Sequence, residues 1–454
     1  MFVHRIESPG VAHWSYYVED GGEAVVIDPR LDVGAYVDLA RERGARIVAV
    51  VETHRNEDYV VGSAELGART GADVRHADGF LDYRYGTAIE DGDTVLFGSA
   101  TLEALHTPGH TPGHMCYLVR NGGMPWMLFS GDLLFAGDTG RVDLGPPDSA
   151  EEFATAMYRS LHERVLPLGD HVVLWPAHGA GSACGSSIAG RPYTTIGMER
   201  ALNPLLGLDE RSFVRSTVDR SEAIGRPAYF ALMEKLNLDG HRFDERRALP
   251  VLDPQGLETL MDEGGVVVDT RSAECYLAAH VPGSVALPHA MLGAWAGWLV
   301  DPETPLALVS DDPMRDATML ARIGFDDVRG VLAGGMERWE TSGRAIGSVH
   351  VLDTPGACRR LDAHAILRVL DVRSTSEVEE LGITGARNIP LPELPSRLDE
   401  LADEDPIVIF CGSGRRSTIA ASLLERHGRR TEVVLGGTRG WSSARCPLHE
   451  VSPA

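Results

Sequence analysis

The chain has 454 residues, of which 43% are hydrophobic and 24% charged, and its formal net charge is -24. This length exceeds what one hydrophobic core usually serves, so two or three domains are expected. The acidic balance argues against nucleic acid as a partner, because nucleic-acid binding needs clustered Lys and Arg. Without a long apolar run or a leader-like opening segment, we expect a cytoplasmic protein with no membrane partner.

Short apolar runs alternate with helix-like stretches in the first part of the chain. The order AVVID (24–28), AYVDLARERG (35–44) and RIVAVVET (46–53) predicts strand, helix and strand, which indicates an α/β layer architecture. Residues 151–245 have a mostly helical pattern. The six cysteines include no CxxC pair, so neither a disulfide framework nor a zinc knuckle is suggested. A functionally important cysteine is therefore expected to be a reactive thiol.

Histidine and aspartate residues recur in positions that follow predicted strands. HTPGHTPGH spaces three histidines four residues apart, but its two Pro-Gly pairs predict a loop instead of a helix. Downstream, Asp132 ends the apolar run MLFSGD, and His178 follows VVLWPA. Loops at strand ends are where α/β folds build metal sites, so a metal centre is expected here.

The motif order T-H-x-x-x-D, HTPGHTPGH, SGD and PAHG resembles the metallo-β-lactamase superfamily over roughly residues 1–240. The resemblance implies an αββα sandwich. In hydrolytic members the first motif supplies three histidines and an aspartate to two metal ions. Here the second and third histidine positions hold Asn56 and Tyr59, which speaks against a dinuclear centre. Asp58 is retained.

The ligand set that remains is similar to that of the persulfide dioxygenases in this superfamily. The resemblance implies one Fe(II) per chain, held by His54, His110 and Asp132, with O2 as co-substrate. Supporting or accessory roles are expected for Asp58, Tyr59, His178 and Cys184, whereas His106 and His114 are expected to be loop residues outside the ligand set. A single Zn(II), or a relic without metal, stays open as an alternative.

From about residue 250 the chain contains an internal duplication. VVVDTRS (266–272) matches RVLDVRS (368–374), LALVSDDPMRD (306–316) matches IVIFCGSGRRS (407–417), and LAGGMERW (332–339) matches LGGTRGW (435–441). Three matched blocks in the same order predict two copies of a small α/β domain. We therefore predict domains at 1–245, 246–345 and 346–454.

The second copy has a cysteine between an apolar strand and a helix-like stretch. In IVIFCGSGRRS, Cys411 precedes a glycine-rich turn formed by Gly412, Ser413 and Gly414, then Arg415, Arg416 and Ser417. Backbone N–H groups, the helix terminus and the arginines favour a thiolate. A cysteine phosphatase would need an arginine at position 417. The loop resembles that of rhodanese sulfurtransferases, which implies a parallel α/β sheet and a persulfide carried on Cys411.

The first copy keeps the framework of the second but not its cysteine. Ser310 stands where Cys411 stands, and SDDPMRD brings carboxylates that would repel an anionic sulfur species. We expect a structural or docking module. By the same resemblance, Asp371 and Arg373 border the active-site edge of the second copy, with a purely structural ion pair as the alternative.

Together these blocks resemble the persulfide dioxygenase and rhodanese fusion proteins of bacterial sulfide detoxification. The resemblance implies oxidation of a low-molecular-weight persulfide to sulfite and exchange of sulfane sulfur at Cys411 with sulfite and thiosulfate, in an unspecified direction. It also suggests a homodimer or homotetramer. Two alternatives stay open: a zinc thioester hydrolase like glyoxalase II with rhodanese appendages, and a persulfide carrier without enzymatic activity.

Overall fold

The structure is a computed structural model that describes residues 1–227, 229–245, 247–362, 368–383, 385–401 and 406–443. The described residues divide into two compact units, Met1–Arg247 with Ala321–Gly324, and the remainder from Ala248 onward. The domain boundaries at 245 and 345 stay predictions. Among the described residues, no helix combines the length and the apolar character needed to cross a bilayer.

The N-terminal unit contains two six-stranded sheets. The first has its strands in chain order, with β1 to β3 antiparallel and β3 to β6 parallel. Its members are β1 (Phe2–Ser8), β2 (His13–Asp20), β3 (Glu23–Ile27), β4 (Arg46–Val51), β5 (Asp73–His76) and β6 (Thr87–Ala88). The predicted strand, helix and strand over 24–53 correspond to β3, a helix at Gly34–Arg43, and β4.

The second sheet also has its strands in chain order, from β7 at one edge to β12 at the other, and within it only β10 and β11 are parallel. Its strands are β7 (Thr94–Phe97), β8 (Ala100–His106), β9 (Met115–Asn121), β10 (Met124–Gly131), β11 (Val173–Pro176) and β12 (Thr194–Thr195). The helices of the unit are α1 (Gly34–Arg43), α2 (Ser63–Thr70), α3 (Ala150–Arg159), α4 (Ile196–Leu202), α5 (Glu210–Ile224) and α6 (Phe230–Asp239). A π-helical turn (Ser160–Val165) and a 3-10 turn (Leu166–Leu168) follow α3.

Apolar side chains fill three layers around these sheets. Between the sheets, residues such as Val25 and Val51 pack against Tyr117 and Phe129. The outer face of the first sheet packs on α1 and α2, and that of the second on α3 and α5. Alternate strand residues point to opposite faces, so each strand supplies both an inner and an outer layer. The predicted αββα sandwich is confirmed.

The C-terminal unit contains two five-stranded parallel sheets with equivalent strand orders, β13-β17-β16-β14-β15 and β18-β22-β21-β19-β20. The first copy holds β13 (Val251–Leu252), β14 (Val266–Asp269), β15 (Val285–Ala286), β16 (Leu306–Val309) and β17 (Val328–Leu332), with α7 (Pro254–Asp262), α8 (Ala273–Ala278), α9 (Leu292–Leu299), α10 (Pro313–Ala321) and α11 (Gly335–Thr341). A 3-10 turn lies at His289–Met291.

The second copy repeats this arrangement. It holds β18 (His350–Asp353), β19 (Val369–Asp371), β20 (Arg387–Asn388), β21 (Ile407–Phe410) and β22 (Thr431–Leu435), with α12 (Thr354–Asp362), α13 (Thr375–Glu380), α14 (Arg415–Arg426) and α15 (Gly437–Ser443). Two 3-10 turns lie at Leu391–Ser396 and Leu398–Glu400. The predicted pair of parallel α/β domains is confirmed. Ser310 and Cys411 each directly follow the matching strands β16 and β21.

The cysteines differ in bonding state. Cys116, Cys184, Cys275 and Cys411 are free thiols. Cys358 is disulfide-bonded, so our expectation of no disulfide is wrong at this position. Cys446 lies outside the described residues.

Candidate metal centre and sulfur-transfer loop

Three loops at strand ends bring the predicted metal ligands together in the N-terminal unit. His54 follows β4, His110 lies between β8 and β9, and Asp132 follows β10; each is at most 1% exposed. One ligand atom from each lies within 4.8 Å of the other two. Gly131 permits this close packing, since it has φ +51 and a Cβ there would lie 2.5 Å from Nε2 of His114.

Hydrogen bonds leave one ring nitrogen of each of the two histidines free for a metal. Thr53 Oγ1 donates to Asp28 Oδ2 over 2.8 Å and accepts from Nδ1 of His54 over 2.9 Å. Nδ1 of His110 donates to the carbonyl of Arg141 over 2.9 Å. A proton on each Nδ1 leaves an unprotonated Nε2, which is the form that binds metal.

His114 is buried beside this cluster, but both of its nitrogens are used elsewhere. Its Nε2 accepts from the backbone N–H of Asp132 over 3.1 Å, and its Nδ1 lies 3.0 Å from Thr107 Oγ1. Burial lowers the pKa of His114 to about 3, which keeps the ring neutral. The structure therefore places His114 as a support for Asp132, outside the ligand cluster.

His178 lies between two carboxylates. Its Nδ1 is 2.8 Å from Asp132 Oδ1 and its Nε2 is 2.9 Å from Asp58 Oδ2. Because an ionised carboxylate can only accept, these contacts favour a proton on each nitrogen. Burial by itself lowers the pKa of His178, but the two carboxylates outweigh it and raise that pKa well above its ordinary value.

A second group of possible ligands lies next to the first: Asp58, His178 and Cys184. Both ring nitrogens of His178 already contact carboxylates, so neither is directed at open space. Burial raises the pKa of the Cys184 thiol well above its ordinary value, and Cys184 packs with Phe135 and Ile188. Tyr59 stacks on His13 at a ring-centroid distance of 3.8 Å. These contacts do not favour a second ion or a thiolate relay.

Glu57 joins the first cluster, although its position in the chain gave no reason to select it. Its Oε2 lies 3.7 Å from Nε2 of His110 and 3.9 Å from Nε2 of His54, while Nε2 of His110 lies 3.4 Å from Asp132 Oδ2. Glu57 Oε2, His110 Nε2 and Asp132 Oδ2 are buried without a hydrogen-bond partner among the described residues. Buried polar atoms rarely stay unpaired.

The 3.4 Å between His110 Nε2 and Asp132 Oδ2 fits two ligands of one metal ion, whereas Glu57 Oε2 lies slightly farther out, at 3.7 Å from His110 Nε2. Bonds of about 2.0–2.2 Å to one ion place neighbouring ligand atoms roughly 3–3.6 Å apart. Two neutral imidazoles with carboxylate oxygens also form a donor set that suits Fe(II) or Zn(II). A cavity of about 300 Å³ reaches His110 and is bordered by apolar Leu81, Leu144 and Phe153 and by charged Arg55, Arg226 and Glu234. A small organic molecule fits a cavity of this size.

In the second copy of the C-terminal unit, Cys411 lies in a compact loop between β21 and α14. Its Sγ accepts from the backbone N–H of Gly414 over 3.0 Å, at the N-terminus of α14. Thr438 N–H donates to the Cys411 carbonyl over 2.9 Å. The LGGTRGW block therefore supports the loop from the other side. Backbone N–H groups and the positive end of a helix stabilise a thiolate.

The two arginines of the loop have different surroundings. Arg416 forms a bidentate ion pair with Glu377, with N···O distances of 2.6 and 2.7 Å. Arg415 is exposed, has no ion pair to the described residues, and borders a cavity of about 350 Å³ lined by His289 and Asp316 of the first copy. Arg415 is thus the cation available to a ligand, whereas Arg416 is held in place.

The other residues predicted near Cys411 shape the loop backbone or form buried structural contacts. Gly414 has φ +101 at the start of α14, and Ser417 is buried with no partner for its hydroxyl among the described residues. Arg373 makes a buried bidentate ion pair with Asp371 and donates to the Leu381 carbonyl. This arrangement favours the structural alternative for Asp371 and Arg373.

Comparison with known proteins finds two family models that match the two kinds of domain in the structure. A family model described as the metallo-beta-lactamase superfamily matches residues 8–178, and a model of the rhodanese-like domain matches residues 253–342 and 357–444. The mitochondrial persulfide dioxygenase ETHE1 of Homo sapiens is 31% identical over 42% of this chain and 70% of its own length. The chain belongs to the metallo-beta-lactamase superfamily. Its superfamily domain is followed by two rhodanese-like domains.

Other superfamily relatives differ in named activity. The persulfide dioxygenase ETHE1 of Bos taurus is 29% identical over 47% of this chain and 80% of its own length. A hydroxyacylglutathione hydrolase of Polaromonas sp. is 34% identical over 35% of this chain and 57% of its own length. A solved metallo-beta-lactamase from Staphylococcus aureus subsp. aureus COL is 28% identical, with a TM-score of 0.65, over 73% of this chain and 98% of that one.

The first rhodanese-like domain replaces the thiol with a saturated hydrogen-bond cluster. Ser310 Oγ donates to Asp316 Oδ2 over 2.6 Å, and Thr270 and His289 also bond the Asp316 carboxylate. Asp316 is 2% exposed. A buried carboxylate beside position 310 disfavours an anionic sulfur species there, which supports the expectation of a domain without sulfur chemistry.

Proposed function

We propose that this protein is a bifunctional enzyme of sulfide detoxification, a persulfide dioxygenase joined to a sulfurtransferase. One observation carries the first activity: the superfamily cluster brings His54 Nε2, His110 Nε2 and Asp132 Oδ2 close together, while both ring nitrogens of His178 are hydrogen-bonded to the carboxylates of Asp58 and Asp132. Such a cluster suits one ion instead of the two of a dinuclear hydrolase. The similarity to persulfide dioxygenases selects the reaction.

Iron(II) fits the cluster, and when bound it supplies a place where a persulfide and O2 react side by side. The overall reaction is RSSH + O2 + H2O giving RSH and sulfite with release of two protons. The outer sulfur is oxidised and O2 is reduced, so no other oxidant is needed.

The residues around the cluster have separate tasks in this reaction. Asp28, through Thr53, and the carbonyl of Arg141 fix the tautomers of the two histidines. The hydrogen bond of 2.8 Å from His178 orients the Asp132 carboxylate. The cavity beside His110 receives a low-molecular-weight persulfide, and its apolar walls limit the access of water.

Cys411 performs the second activity. The Cys411 thiolate attacks the outer sulfur of thiosulfate, a new S–S bond forms, and sulfite leaves with the electron pair of the old bond. A thiol RSH then takes the sulfane sulfur as RSSH and returns Cys411 to the thiol. Run in reverse, persulfide and sulfite give thiosulfate. The N–H of Gly414 stabilises the attacking thiolate, and Arg415 attracts the anionic substrate.

The cytoplasmic location and a homodimer or homotetramer belong to the same proposal. The competing function is a thioester hydrolase, which the similarity to hydroxyacylglutathione hydrolases keeps in view. Turnover of a persulfide and of an acylated glutathione, each under air and under argon, separates the two. The proposal expects sulfite from the persulfide under air only; hydrolysis of the thioester under argon, without persulfide oxidation, would favour the hydrolase.

For the second domain, Cys411→Ser is compared with Cys275→Ser, which removes an exposed free thiol. We expect Cys411→Ser to abolish the formation of thiosulfate from persulfide and sulfite, and Cys275→Ser to retain it. Thiosulfate formation at the parent rate in Cys411→Ser would refute the assignment.

A further inference from the structure

The Glu57 carboxylate is directed at the same point as the three predicted ligands. It is 1% exposed, and its Oε2 has no hydrogen-bond partner among the described residues. This atom lies 3.7 Å from His110 Nε2 and 3.9 Å from His54 Nε2. The latter distance is close to the 4.0 Å between His54 Nε2 and Asp132 Oδ2. Glu57 is thus about as near to the histidine ligand atoms as Asp132 is.

The other oxygen of Glu57 is fixed by a chain of charges. Arg55 donates to Glu57 Oε1 over 3.2 Å and also contacts Glu234 Oε1 at 3.2 Å. Arg226 donates to the same Glu234 oxygen over 2.6 Å. The arrangement repeats that of Asp132, in which one oxygen is bonded to His178 and the other is left free. A carboxylate held at one oxygen presents the other in a defined direction.

We propose that Glu57 is a fourth protein ligand of the metal centre, so that the ion is bound by two imidazoles and two carboxylates. This inference rests on the metal centre of the proposed function but not on the identity of its substrate. Two carboxylates neutralise a divalent ion in a buried site. Four protein ligands would still leave room for further ligands on an ion that accepts six.

The test uses Co(II) binding by the full-length protein, with no persulfide present. Co(II) affinity and the visible absorption bands of the bound ion are compared among the parent, Glu57→Gln and Glu57→Asp. We expect Glu57→Gln to bind Co(II) roughly tenfold more weakly or worse, with altered bands, because an amide is a poorer ligand than a carboxylate. Glu57→Asp keeps the carboxylate and is expected to recover part of the affinity.

The matched control is Glu52→Gln, which makes the same change at another buried carboxyl of the domain. Glu52 is 1% exposed and accepts from the Tyr85 hydroxyl over 2.6 Å. The Glu52→Gln variant is expected to bind Co(II) with the affinity and the absorption spectrum of the parent. Parent-like binding and bands in Glu57→Gln would overturn the proposal.

A crystal structure of the parent protein loaded with Zn(II) decides the question even where a variant does not fold. The proposal expects Glu57 Oε2 at a bonding distance of about 2.0–2.2 Å from the ion. An ion bound by His54, His110 and Asp132, with Glu57 beyond about 3 Å, would contradict it. Because neither experiment uses a persulfide or O2, failure here leaves the dioxygenase proposal standing, and failure of the dioxygenase leaves this one standing.

Discussion

Nδ1 of His178 lies 2.8 Å from Oδ1 of Asp132, with both side chains fully buried. The contact orients the Asp132 carboxylate so that its Oδ2 faces the two histidines. Burial alone would raise the pKa of Asp132, but His178, His110 and His54 together hold that pKa below its ordinary value. The carboxylate is therefore kept ionised in the position where a metal would need it.

Removal of this contact is expected to weaken metal binding. His178→Ala leaves Asp132 without its orienting partner, and loss of such partners typically lowers metal affinity about 10–100-fold. The measurement is the dissociation constant for Zn(II), determined by competition with a chelator. His171→Ala serves as the control, because His171 is exposed and its side chain is hydrogen-bonded to the carbonyl of Pro125, away from the metal centre. An unchanged dissociation constant in His178→Ala would contradict the role given to it.

The protein is expected to bind one ion per chain. Because both ring nitrogens of His178 are hydrogen-bonded to carboxylates, the group formed with Asp58 and Cys184 offers no unpaired imidazole nitrogen. Elemental analysis after dialysis should therefore give one ion per chain in the parent and in Cys184→Ser alike. Two ions in the parent, with one lost in Cys184→Ser, would establish a dinuclear centre and favour the hydrolase.

A glycine in the second rhodanese-like domain supports the Cys411 loop. Gly437 has φ +48, and a Cβ there would lie 2.1 Å from the Cys411 carbonyl oxygen. Gly437→Ala is expected to destabilise the fold by about 1–2 kcal/mol, because alanine disfavours the left-handed backbone conformation. The added Cβ would also displace the Cys411 loop. A displacement of about 1 Å costs roughly 100-fold in rate, so sulfur transfer should fall by about that factor.

Gly428→Ala separates the two effects of the Gly437 change. Gly428 has φ +73, and no atom lies within 4 Å of the position that an added Cβ would take. Gly428→Ala should therefore destabilise the fold through the backbone conformation alone, without displacing a neighbour. The rate of thiosulfate formation should stay near that of the parent. Equal rates in the Gly437 and Gly428 variants would show that the contact with the Cys411 carbonyl is unimportant.

The ion pair of Arg416 with Glu377 is expected to make stability depend on pH. Hydrogen bonds from Arg416 lower the pKa of Glu377 from 4.5 to about 2. A lowered folded-state pKa means that the pair stabilises the fold above about pH 4.5, and that this contribution is lost as the pH falls toward 2. Because the pair is partly exposed, the contribution is roughly 1 kcal/mol or less.

The measurement compares the free energy of unfolding in urea between the parent and Glu377→Gln from about pH 7 to about pH 3. The difference should be constant at higher pH and shrink below about pH 4.5. Glu379→Gln, an exposed change on the same helix, should show no such trend. A difference that grows as the pH falls would contradict the assigned sign.

Sequence patterns predicted the features that depend on chain order. Asp132 and Cys411 follow apolar runs, and the ends of neighbouring strands bring such residues together at one edge of a sheet, where sites form. The matched blocks around Asp269 and Asp371 predicted two equivalent sheets, because repeated segments adopt the same local structure.

Features that depend on side-chain direction could not be read from the sequence. Glu57 lies in a loop, where no 2.0- or 3.6-residue period tells which side chains point inward. The Arg416 contact with Glu377 joins residues 39 positions apart on separate helices. Asp28, which directly follows β3 and orients Thr53, carried a possible signal as a carboxylate closing the apolar run AVVID.

The dioxygenase assignment is tested most directly by O2 consumption of the Fe(II)-reconstituted protein supplied with a low-molecular-weight persulfide, with metal content and sulfite determined on the same sample. We predict rapid uptake, one sulfite per O2, and loss of both in His110→Ala and Asp132→Ala. Metal-loaded protein that consumes no O2 with any persulfide would contradict the dioxygenase and leave the sulfurtransferase as the remaining activity.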